Sequence, residues 1–124
     1  MKKHLLLSAF VILGLLSCAN EGNAVNTLEN MKTPEMQALD KAFKSLGDPK
    51  NRATEEEKRS GSTELSDRRK ELLVPASKAL ILSTGVSEKE MITKTGGDIT
   101  KIIVWAVEIN LKKKDEIRKN LGQN

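Results

Sequence analysis

Histidine, tyrosine and cysteine are almost missing from this 124-residue chain. His4 is the single histidine, Cys18 the single cysteine, and no tyrosine occurs. Beyond residue 4 no side chain can act as a neutral-pH imidazole base. His-based triads, His-ligated zinc and histidine proton shuttles are therefore excluded from the rest of the chain. One cysteine cannot close an intrachain disulfide, so packing alone must hold the fold. Aromatic residues amount to two phenylalanines and Trp105. That is too few for the stacking platforms of a sugar site or a single-stranded nucleic-acid groove, and no nucleic-acid partner is expected.

Long apolar runs are scarce as well. The single such run is Leu5 to Leu16, broken by Ser8 and Gly14 and preceded by Lys2 and Lys3. It has the length of a signal-peptide core and falls short of the roughly 20 residues a membrane span needs. It ends in Leu15-Leu16-Ser17-Cys18, with an aliphatic residue at −3, a small residue at −1, then cysteine. This segment resembles the lipobox of bacterial lipoproteins. The resemblance covers residues 1–18 and nothing beyond them. It implies diacylglycerol in thioether linkage on Cys18, cleavage before it, and fatty acid such as palmitate on the new amine. It thus implies a membrane partner reached through lipid on Cys18. Ala19 follows where some lipoproteins carry an aspartate that retains them at the inner membrane. The outer membrane, facing the periplasm, is the implied address.

The expected organisation is a signal peptide over 1–17, a lipidated cysteine and tether over 18–32, and a helical domain over 33–124. Cleavage takes Lys2 and Lys3 from the 21 basic residues, leaving 19 against 17 acidic ones, a net charge near +2. Mixed charge at this density describes a solvated surface and not an electrostatic footprint. Residues 19–32 are polar, with Val25, Leu28 and Met31 too sparse to build a core. As a flexible chain they hold the domain on the order of 20 Å from the lipid. The alternative for their end is a short helix around 26–32.

The domain reads as all-α, a small bundle of three or four helices. A first helix is predicted over 34–46, with Thr33 as N-cap, Pro34 at the first position, and Met36, Leu39, Phe43 and Leu46 on one stripe. Gly47 is expected to end it in the left-handed conformation. Residues 48–61 read as a mobile loop in which Thr54 and Glu57 form a capping box around one exposed turn. A second helix is predicted over 63–84, kinked or broken at Pro75. Gly85, Ser87 with Glu90, and Val86 with Met91 together spell a helix C-terminus, a capping box and a hydrophobic staple. A short helix follows to Thr95, then Gly96-Gly97 turns and Asp98 caps a last helix over 99–121. Trp105, Val107, Ile109 and Leu111 also alternate as in a strand, which is the competing reading of that segment.

The remaining candidates for chemistry are carboxylates and cations. Glu55, Glu56 and Glu57 sit together in a first turn, where the helix dipole favours them. Glu64, Asp67 and Glu71 alternate with Arg68, Arg69 and Lys70, as on a solvated face. No metal site is read, because the Asp48 segment lacks the ligand spacing of a calcium loop. No cofactor motif is present: Thr95-Gly96-Gly97-Asp98 lacks the glycine spacing of a phosphate loop. Lysines 112–114, Arg118 and Lys119 suit a helix C-terminus and, alternatively, anionic headgroups. Trp105 falls off the main apolar face of the last helix and is the residue placed to anchor an interface. The expected protein is a non-enzymatic, lipid-anchored interaction module with an envelope protein as partner. A small binder or inhibitor of a secreted ligand or toxin, using residues 48–71, is the alternative.

Overall fold

A computed structural model of the chain describes residues 28–122, so Cys18 and the expected signal peptide lie outside the described residues. Every regular element among the described residues is helical. Residues 32–115 form one compact unit, while 28–31 and 116–122 belong to a second.

Helix α1, Pro34–Ser45, starts as its sequence dictates. Thr33 is extended, its Oγ1 accepts from the Met36 amide at 3.2 Å, and Pro34 occupies the first turn. Met36 and Leu39 are fully buried, whereas Phe43, on the same stripe, stays 37 % exposed. The helix does not end on a left-handed Gly47, which lacks a positive φ. Instead the last turn tightens, with the amides of Leu46 and Gly47 donating to Phe43 and Lys44 carbonyls. The carbonyls left over are then taken by side chains further along the chain.

Those side chains tie down the segment that the sequence presents as a loop. A 3-10 turn covers Pro49–Asn51, and helix α2 covers Glu55–Arg59. Asn51 Nδ2 donates to Ser45 O at 2.8 Å and Arg52 Nε to Gly47 O at 2.9 Å. The Thr54–Glu57 capping box forms in both directions. Helix α3, Asp67–Glu71, follows Ser66 as N-cap. It contributes Arg69, which donates to Leu46 O and Asn51 O, and Arg68, which donates to Arg52 O and both oxygens of Glu57. Five backbone carbonyls between Ser45 and Arg52 thus find donors without a helix ladder, as ordered irregular backbone requires.

The helix predicted over 63–84 is two helices. Residues 63–66 are not helical, and a turn at Leu72-Leu73 separates α3 from α4, Val74–Ser83. Pro75 therefore falls in the first turn of a new helix, where its missing N–H breaks no bond. Leu80 and Ile81 are fully buried, and α4 packs on α1. The buried Ser77 hydroxyl on this helix has no hydrogen-bond partner.

The corner after α4 follows its sequence, except that the Glu90 side chain does not return the bond that would close a capping box with Ser87. Gly85 takes φ +94°, and the Ser87 side chain caps α5, Glu88–Thr95, at the Glu90 amide. Met91 is fully buried. Gly96 and Gly97 both take positive φ, and Asp98 Oδ1 accepts from the Thr100 and Lys101 amides. Helix α6 runs over Ile99–Asn120, so the strand reading of 105–112 is set aside. Within the 32–115 unit it buries Ile102, Ile103, Ala106 and, against its polarity, Asn110. Residues 28–31 are helical, the alternative weighed for the end of the tether.

Candidate functional site

The most organised polar cluster outside the helix caps is built around Asp40, midway along α1. Its Oδ1 accepts from Asn110 Nδ2 and from Lys114 Nζ on α6, each at 3.0 Å. Its Oδ2 accepts from Lys32 Nζ, also at 3.0 Å. Burial raises the Asp40 pKa, but hydrogen bonds from Lys114, Lys32 and Asn110 outweigh it and hold the carboxyl below its ordinary range. The Lys32 side chain is 9 % exposed and that of Asp40 25 %. This is a partly desolvated node and not a surface ion pair. Gln37 Nε2 adds a bond to the Lys32 carbonyl at 3.3 Å.

The node joins the start of the domain to its last helix, 70 or more residues away. Lys32 is the last residue of the expected tether, Asp40 belongs to the first helix of the domain, and Asn110 and Lys114 belong to the last. One carboxylate therefore fixes where the chain arriving from Cys18 meets α1 and α6. The Asn110 Oδ1 atom is buried and unpartnered, so the amide is oriented by its donor end alone. The cluster can hold and position, but it offers neither a nucleophile nor a free base. Sequence reasoning missed it, because Asp40 looks like one exposed charge among many. A polar Asn110 on the apolar face of α6 was the available signal.

Trp105 lies where its helical register puts it, half-buried beside the core face. The Lys94 ammonium sits 5.2 Å from the ring centroid, a cation–π distance that leaves the indole partly covered. Cys18, the predicted lipidation residue, is outside the described residues. Among the basic clusters, Arg68, Arg69 and Lys70 are engaged inside the domain. Lys70 pairs with Glu64 at 3.2 Å and Arg68 with Glu57 at 2.9 Å. The Arg68 hydrogen bond holds Glu57 below the usual carboxylate range, and Glu57 in turn raises Arg68. Within Glu55–Glu57, Glu55 pairs with Lys58 at 3.5 Å and Glu57 with Arg68, and no group of three metal-ligating side chains occurs among the described residues.

Two concavities adjoin these charged groups. A polar groove of about 600 Å³ runs along residues 53–70 between α2 and α3. A smaller apolar one, about 210 Å³, is lined by Phe43, Leu65, Leu73, Ile103 and Val104, with Glu64 and Lys70 at its rim. Compared with known proteins, the chain matches no family model, no curated protein and no solved structure.

Proposed function

We propose that this chain is a lipid-anchored cell-envelope protein whose helical domain, a small bundle behind a tether, is a non-enzymatic interaction module for another envelope protein. The observation that carries the reading is Leu15-Leu16-Ser17-Cys18 closing a basic-then-apolar leader of signal-peptide length. The Asp40 node supports it, since a tethered module needs a defined junction between tether and domain. The membrane is the outer one, on its periplasmic side, in the reading that follows from Ala19.

The anchor is tested directly. Labelled palmitate is expected to enter the wild-type protein and to be absent from Cys18→Ser; label persisting in the variant rules the anchor out. The partner is tested by cross-linking the lipidated protein in cells. Trp105→Ala, which also removes the cation–π contact with Lys94, is expected to lose the dominant cross-linked partner with helicity unchanged by circular dichroism. Binding that survives it takes Trp105 out of the interface.

A second reading has the polar groove along 53–70 in its favour. A small binder or inhibitor of a secreted ligand or toxin would use that charged concavity. Salt-sensitive binding that survives Trp105→Ala distinguishes it from the first.

A further inference from the structure

We propose that the exposed apolar side of α6, centred on Val104 and Leu111, lies against the anionic headgroup layer of the membrane that holds Cys18. The inference rests on the lipid-anchor reading above.

The first argument is the exposure itself. Val104 is 51 % and Leu111 61 % exposed, the two highest values among the large apolar side chains of the described residues. Seven residues apart on one helix, they share a face at a separation of about 10 Å along the axis. Phe43 of α1, 37 % exposed, lines the same apolar groove as Val104. Scattered single apolar residues need no explanation, but aligned ones continuing into a groove do.

The second argument is the tether. Its last residue, Lys32, is bonded to Asp40, and Asp40 is bonded to Asn110 and Lys114 of α6. The chain coming from the lipid is thus fastened to α6 within one turn of Leu111. Nine residues lie between Cys18 and Leu28, and the ten Cα–Cα steps across them reach at most about 35 Å even when fully extended. The domain therefore stays within about one domain diameter of the bilayer, at a high effective concentration of headgroups.

The third argument is charge. Exposed Lys101 and Lys112 flank Val104 and Leu111 on α6, and exposed Lys44 follows Phe43 on α1. Against these three stand Glu108 and Asp115 on the same side of α6. The excess is positive, as contact with anionic lipid requires. Apolar side chains ringed by lysine stems are the composition of an interfacial helix face.

The test uses the intact lipidated protein and a nitroxide label on an introduced thiol. Cys18 is the only native cysteine, so a thioether there leaves Leu111→Cys as the one reactive thiol. Glu56→Cys, on the exposed first turn of α2, is the control. On vesicles containing phosphatidylglycerol, the label at 111 is expected to gain oxygen collisions and to lose nickel-chelate collisions several-fold, while the label at 56 does neither. On phosphatidylcholine alone the change at 111 is expected to be smaller. Equal nickel access at 111 and 56 on both vesicles overturns the docking. Protection at 111 that appears in detergent and grows with protein concentration also overturns it, because the occupant is then a second chain. Nitroxide uptake by the wild type shows Cys18 to be a free thiol, and the anchor and the docking then fall together. No uptake by the wild type, with a water-exposed label at 111, removes the docking alone.

Discussion

Leu80→Ala is expected to lower the unfolding free energy by about 3 kcal/mol, the transfer and cavity cost of a fully buried leucine. Leu80 has no exposed surface and sits on α4, the helix that packs on α1. A domain of this size has a total stability of roughly 5–14 kcal/mol. The substitution therefore removes a large share of it, and the thermal midpoint should fall by about 15 °C. Nothing else compensates. No disulfide is available to the chain, and Ser77 leaves a buried hydroxyl unpaired on the same helix. Leu80→Met, which keeps the volume, should cost less than about 1.5 kcal/mol. Thermal unfolding followed by circular dichroism measures both. Equal losses for the two variants would mean that the α1–α4 seam is not packed as a core.

How far the sequence carries depends on how local the determining physics is. The start of α1, the corner from Gly85 to Met91 and the Asp98 cap rest on contacts within four residues. Each is where its residues put it. Helix α6 was separable from a strand because a capped run of 22 residues outweighs eight alternating ones. The 48–61 segment was not legible in the same way. Beyond the Thr54–Glu57 box and the local Asn51 and Arg52 bonds, its order comes from Arg68 and Arg69, 11 to 23 residues downstream of the groups they hold. The termination of α1 failed for the same reason. Gly47 signals a left-handed cap, yet Arg69 already supplies the donor that the end of the helix needs.

The candidate site divides along the same line. The half-burial of Trp105 follows from helical register, which places it between the core face and solvent. Its partner Lys94 belongs to another helix and could not be read off. The Asp40 node depends entirely on long-range pairing. Asn110 and Lys114 lie 70 and 74 residues from Asp40, and a single sequence has no means of expressing that distance. What it does express is a polar residue interrupting an apolar stripe, which marks position 110 without identifying its partner.

Asp40→Asn should cost about 2 kcal/mol, less than a fully buried pair because a quarter of the carboxylate is exposed. The amide keeps the shape and can still accept from Asn110. It removes the negative charge that the Lys32 and Lys114 ammonium groups share, which is the destabilising step. The pH dependence has a definite sign. The folded carboxyl titrates below its unfolded value, so its contribution is present above the ordinary carboxylate range and is lost as pH falls through the folded value. Wild type minus variant stability should therefore be flat near neutral pH and shrink in acid, below about pH 4. Stability losses from Lys32→Met and Asp40→Asn should be strongly non-additive in a double-mutant cycle, since both break one bond. Additive losses would separate Lys32 from the node and detach the tether from α6. The membrane docking would then lose its geometric basis, with the helices of the domain still folded.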